Sequence, residues 1–221
     1  MTDVRLARLL QLASPTLPVG AYSYSQGMEA AIEAGIVRDA GSTERWIADV
    51  LEHTAARVEA PVLLRLITAW RAGDAGNVDV WNALFLASRE TSELRAETVQ
   101  MGYSLGKLLA ELDDADALTA LEEPSFPAAF AYAVAKWDID ASQALLAYLW
   151  AWLENQVMAA IKAVPLGQTD GQRLLMTLSE RLSEVSVRAA HLQDDALGGF
   201  APRFALLSSR HETQYSRLFR S

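Results

Sequence analysis

The stretch Ala141–Ala163 reads ASQALLAYLWAWLENQVMAAIKA and runs into Val164-Pro165. It is far too long for a strand and does not alternate apolar with polar, so it predicts a helix that Pro165 stops. Tyr148 and Trp152 stand four residues apart on one face, and Trp150 projects to the opposite side. Leu145, Leu146, Leu149 and Leu153 fill the gaps. A helix apolar all round is either central in a core or covered by a second copy of the chain. The core position is the favoured reading. Lys162 sits at the last turn, where a cation complements the helix dipole.

Outward from this helix the pattern repeats. The periodicity predicts helices over residues 4–13, 25–34, 78–88, 92–112, 126–137 and 171–192. Another is capped at Ser42 or Thr43, carries Trp46, Ile47, Val50 and Leu51, and is kinked or restarted by Pro61 before ending near Gly73. A last segment over 203–221 closes the chain. Val/Ile-rich alternating runs are missing, and the loops are short. The expected fold is therefore all-α: a compact bundle of about eight to ten helices forming one domain over 1–221, with 204–221 as a C-terminal tail segment.

Composition narrows the function. Half the residues (51%) are hydrophobic and 21% are charged, which excludes a disordered chain. The net charge of −9 argues against a nucleic-acid partner, since no wide face neutralises phosphates. Without cysteine there is no disulfide, thiolate or zinc-finger chemistry. The charge-free run 9–28 is interrupted by Pro15, Pro18 and Gly20, so no membrane span is expected. The opening MTDVRLARLLQL carries Asp3 and no apolar stretch behind its arginines, so a cytoplasmic protein is expected.

Catalytic motifs fail one by one. Gly102-Tyr-Ser-Leu-Gly106-Lys107-Leu108 is one residue short of a phosphate loop and has Leu108 where Ser or Thr must bind Mg²⁺. Two glycines one turn apart on a helix, admitting another backbone, explain it better. His53, His191 and His211 show no metal-ligand spacing, and the acidic run 111–123 does not match a Ca²⁺ loop. No catalytic residue, cofactor site or metal site emerges, although sites do assemble in space.

Two regions break ordinary rules. The strap PTLPVGAYSYSQGME over 15–29 sets Tyr22 and Tyr24 beside a Pro/Gly-stiffened turn at Gly20. Rigid tyrosines suit a binding face; two residues apart, one should point inward and one outward. The tail SSRHETQYSRLFRS carries His211, Tyr215, Leu218 and Phe219 with Arg210, Arg217 and Arg220. A basic, aromatic tail on an acidic body either docks on its own surface, the 111–123 stretch being one seat, or presents anchors to another protein.

Four blocks in order, LLQLASPTLPVGAYSYSQGMEAAIEAGIV (9–37), SRETSELRAE (88–97), KAVPLGQTDGQRLL (162–175) and SRHETQYSRLFRS (209–221), resemble the UreF family of urease accessory proteins. The resemblance spans nearly the whole chain. It implies a non-enzymatic helical chaperone that forms a homodimer and binds the UreD/UreH accessory protein. That complex recruits the GTPase UreG, and together they insert nickel into apo-urease. By motif position it assigns Gly20–Tyr22 and Arg217 to GTPase recruitment, and the His211–Phe219 segment, with Tyr215, to the UreD/UreH contact. Tyr148 and Trp150 match the dimer region. Tyr24, Glu29, Lys162 and Gln168 fall in or beside the motifs, with no individual role assigned to Glu29, Lys162 or Gln168. The alternative from a different class is a helical enzyme or ligand-binding bundle whose site exists only in the fold.

Overall fold

A computed structural model describes residues 4–113, 118 and 120–221, and every regular element among them is helical. In chain order these are α1 (Val4–Leu12), α2 (Met28–Glu33), α3 (Ala40–Val50), a π-helical stretch (Leu51–Glu59), α4 (Ala60–Ala72) and α5 (Ala75–Ala87). They continue with α6 (Ser92–Asp113), α7 (Phe126–Lys136), α8 (Ala141–Ala163), α9 (Gln168–His191) and α10 (Pro202–His211). The all-α single-domain expectation holds. None of these helices is long and apolar enough to cross a membrane.

Capping chemistry places the helix starts. Asp140 accepts the Ser142 and Gln143 N–H groups, both at 3.0 Å, so α8 begins where the sequence reading put it. Elsewhere an aspartate moves the start. Asp39, not Ser42 or Thr43, caps α3: its carboxylate accepts the Ser42 N–H at 2.8 Å, while the Ser42 hydroxyl accepts the Asp39 N–H in return. Asp74 accepts the Asn77 N–H at 3.0 Å and starts α5 three residues before the expected Val78. Conversely α2 begins only at Met28, because Gln26 (φ 51°) and Gly27 (φ 76°) are left-handed and cannot continue a helix. Pro61 marks a restart, as expected: the π-helical stretch gives way to α4 at Ala60, and Pro61 stands in the first turn of α4, where its missing N–H costs nothing. The last segment is helical only to His211.

The centre of the bundle is α7, whose residues 127–131, 133 and 134 are buried, small alanines letting α4 and α6 close upon Phe130. Its entry is fixed by three bonds. Buried Asn82 donates to the Glu123 carbonyl and accepts the Ser125 N–H, both at 2.9 Å, and Thr98 accepts the Phe126 N–H at 3.0 Å. Gly102 makes room for this strand of backbone: a Cβ there would lie 2.0 Å from the Pro124 carbonyl oxygen. That is the close backbone approach the two glycines suggested, though Gly106 meets the Leu118 side chain rather than backbone.

Helix α8 is a core helix on one side only. Leu145, Tyr148, Leu149, Leu153 and Val157 are buried, whereas Leu146, Trp150 and Met158 form a stripe left open to solvent, Trp150 being 36% exposed. Replacing Gly102 by Ala would have to displace the 123–126 backbone and cost about 2 kcal/mol net of the helix-propensity gain. Gly76→Ala, facing only the Asp74 carboxylate at 3.6 Å, should be neutral or stabilising. Urea unfolding of both variants checks this, and an unchanged midpoint for Gly102→Ala would contradict it.

Candidate docking site around the C-terminal segment

The strap builds one wall. Gly20 (φ 78°) turns the chain into a single 3₁₀ turn, Ala21–Ser23, and Tyr24 continues extended. The consequence is the split expected for the two tyrosines: Tyr22 is 67% exposed and Tyr24 is buried. Burial, with the Glu97 carboxylate nearby, raises the Tyr24 pKa, and Arg220 pulls it back.

The tail closes onto this wall through Glu29, a buried carboxylate in the first turn of α2. One oxygen accepts the Leu218 N–H at 2.7 Å and the other the Phe219 N–H at 3.0 Å. The second oxygen also lies 3.2 Å from His211 Nε2. His211 is fully buried, and its Nδ1 lies 2.8 Å from a Glu93 carboxylate oxygen. Arg217 pairs with the other Glu93 oxygen. Glu212 reaches the start of α6, accepting the Ser92 hydroxyl at 2.6 Å and the Glu93 N–H at 3.2 Å; these bonds hold its pKa below the ordinary carboxylate range.

The end of the segment is tied a second time. Ser25 donates both its N–H (2.8 Å) and its hydroxyl (2.7 Å) to the Ser221 carbonyl, and Arg220 N–H reaches the Ser23 carbonyl at 2.8 Å. The Ser221 hydroxyl donates to Glu97 at 2.6 Å. Glu97 is buried on α6 and also accepts Gln26 Nε2 at 2.7 Å. Gln26 in turn accepts Trp152 Nε1 at 2.7 Å, linking the lock to α8. Phe219 is buried, and Lys162 Nζ lies 5.7 Å from both the Tyr22 and the Phe219 ring centroids. Lys162 thus fastens strap, tail and α8 at one point.

Of the two readings of the tail, docking on the chain's own surface is the one seen. Its inner side docks on the chain's own acidic groups, but these are Glu29, Glu93 and Glu97. Of the acidic stretch named as a seat, 114–117 and 119 lie outside the described residues, and Glu123 pairs with Arg95 at 2.6 Å. Its outer side displays Tyr215, fully exposed, and Leu218, 72% exposed, with part of Arg217. These stand with Tyr22 and Gly20 as the sequence-named residues a second protein can touch. Tyr24, Glu29, His211 and Phe219 are buried beneath them. In the named pair on α8, Tyr148 is inside the chain's own core and gives its hydroxyl to Glu59, and only Trp150 is open.

Chemically the arrangement binds peptide backbone. His211 has a carboxylate at each ring nitrogen, but those partners lie on opposite sides of a ring sealed from solvent. Among the described residues no group of three or more acidic or histidine side chains is placed to hold a metal ion. His53 and His191 are exposed, the latter 2.7 Å from the Val187 carbonyl. A cavity of about 190 Å³ opens between the strap and α8, with Glu59, Arg89, Glu97 and Tyr148 among its lining.

Residue reasoning missed Glu93, Glu97, Gln26 and Ser221 as parts of the seat. A signal was present: Glu93 and Glu97 stand four apart, two like charges on one helix face, an unfavourable pair unless each has its own partner.

Comparison with known proteins gives the family. The UreF family model matches residues 37–179. The urease accessory protein UreF of Dechloromonas aromatica is 54% identical, covering 100% of this chain and 99% of the relative. That of Azoarcus sp. is 59% identical, covering 98% and 95%. That of Janthinobacterium sp. is 52% identical, with 98% of each covered. This chain, whose tail and strap lock into one face, therefore belongs to the UreF family of urease accessory proteins.

Proposed function

We propose that the chain is a non-enzymatic scaffold of urease maturation, acting in the cytoplasm. With the UreD/UreH accessory protein it recruits the GTPase UreG, modulates it, and so serves nickel insertion into apo-urease. Nickel and GTP belong to those partners. One observation carries this reading: Tyr22, Tyr215, Arg217 and Leu218 stand outward on a backbone already fixed by Glu29, Glu97 and Ser25. Preordered aromatic and arginine anchors lose little entropy on contact and are the residue types that dominate interface energies. Family membership supplies the chemistry of the partners.

Tyr22→Ala and Arg217→Ala should leave the helical content unchanged. Each should weaken GTPase recruitment by the chain and its UreD/UreH partner by about 2 kcal/mol or more, roughly thirtyfold in affinity. Titration calorimetry or surface capture with purified partners reads this, and normal recruitment by both variants would remove the site assignment.

The open stripe Leu146, Trp150 and Met158 supports a homodimer contact on α8. A charge at its centre would be left unpaired in an apolar interface, so Trp150→Glu should convert a dimer to a 24.1 kDa monomer in light scattering. A variant that stays dimeric would place the contact elsewhere.

A further inference from the structure

Of the three carboxylates by which α2 and α6 seat the tail, Glu97 is the one bonded to neither His211 nor Arg217. Glu29 and Glu93 face His211, and Glu93 has Arg217 as well. Glu97 receives Gln26 Nε2 and the Ser221 hydroxyl. Arg89, whose charge acts on Glu97, is engaged elsewhere: it lies 3.9 Å from Glu59 and stands over the Phe85 ring at 4.2 Å. Around Glu97 stand Tyr24 from the strap, Glu59 from the π-helical stretch, Arg89 beyond α5, Tyr148 from α8 and Arg220 from the tail. Arg89 is thus taken up by the half-buried Glu59, and Glu97 feels it only through its charge.

A serine hydroxyl both donates and accepts. The 2.6 Å contact of Ser221 therefore survives a proton on Glu97, while Gln26 keeps its bond to the other oxygen. A charge there keeps both donors but stays buried and beside Glu59.

We propose that Glu97 is a positioning residue for the 212–221 segment, which seats on the protonated carboxyl and loosens when that proton leaves. Burial pushes the Glu97 pKa up to about 7; Glu59 adds to the rise, and the bonds from Ser221 and Gln26 and the charge of Arg89 oppose it. When Ser221 lifts away, water reaches the carboxyl and its pKa falls toward the ordinary 4.5 or so. Docking therefore takes up a proton. Its full strength is present below the undocked pKa and is lost as pH rises through about 7, by no more than tenfold per pH unit. Near neutrality the display of Tyr215, Arg217 and Leu218 would then be adjustable. That consequence for partner recruitment rests on the docking reading above, whereas seating of the segment is a property of the chain alone.

The test is amide exchange in the isolated full chain, followed by NMR and corrected for the intrinsic pH dependence of exchange. The Leu218, Phe219 and Arg220 amides report directly, since all three are bonded to the seat. Between pH 5.5 and 7.5 their protection should fall by up to roughly twentyfold in the wild type and stay level in Glu97→Gln, a neutral side chain of the same shape. His211 is the other residue of the seat whose type titrates near neutrality, and the variant leaves it in place. Equal pH slopes in both proteins, or no slope in the wild type, would overturn the proposal. If Glu97→Gln does not fold, the ¹³C signal of the wild-type Glu97 carboxyl decides. It should titrate near 7 in step with the loss of protection, and titration in the ordinary carboxylate range would equally overturn the proposal. Because no partner enters this experiment, its failure leaves the recruitment test with UreG untouched.

Discussion

A carboxylate buried in the first turn of α2 determines what the end of this chain can do. Glu29 has two oxygens facing inward, and a buried charge of that kind is stable only with charge-assisted partners. The Leu218 and Phe219 amides and the His211 ring supply them. The tail is thereby brought under the strap, and the remaining contacts follow. Phe219 is drawn into the core, Arg217 is carried to Glu93, and the Ser221 carbonyl arrives at the two donors of Ser25. Even Gly27, next to α2, belongs to this arrangement: a Cβ there would sit 3.4 Å from the Ser208 backbone nitrogen on α10.

The result is a face with separate inner and outer roles. The inner residues Tyr24, Glu29, Glu97, His211 and Phe219 are hidden and settle the course of the backbone. The outer residues Tyr22, Tyr215, Arg217 and Leu218 are offered to solvent with little freedom left to lose. Ordinary chain ends fray because nothing buried holds them; here three carboxylates on two helices do. Lys162, placed between two aromatic rings, ties the same face to the long helix that carries Trp150. A partner on the tail and a second copy on α8 would therefore meet one rigid body.

Much of this was legible in the sequence, and the exceptions have physical causes. The limits of α8 were readable to the residue because Asp140 and Pro165 punctuate both ends. The inward–outward split of Tyr22 and Tyr24 followed from their spacing. The start of α2 was not legible, because nothing in Gln26 announces a left-handed backbone; its side chain holds that position only through Glu97 and Trp152, far away in sequence. The caps at Asp39 and Asp74 were overlooked in favour of later serine and valine positions, although aspartate is as good an N-cap as serine. The seat itself was least legible. It joins residues 25–29, 93–97 and 211–221, and long-range pairing of carboxylates with backbone amides leaves no periodic trace. The four blocks that carried the family resemblance contain nearly every residue of the seat, so the signal lay in the motifs before the geometry explained it.

The most direct measurement is carboxypeptidase digestion of the full chain beside Glu29→Ala, after circular dichroism has shown equal helical content. Losing that carboxylate leaves two amides without an acceptor and the His211 Nε2 without its partner, a loss of about 3 kcal/mol from the seat. A segment held through Glu29 predicts that residues 213–221 resist digestion in the wild type and are trimmed rapidly in the variant. Equal resistance in both would contradict a tail seated on Glu29.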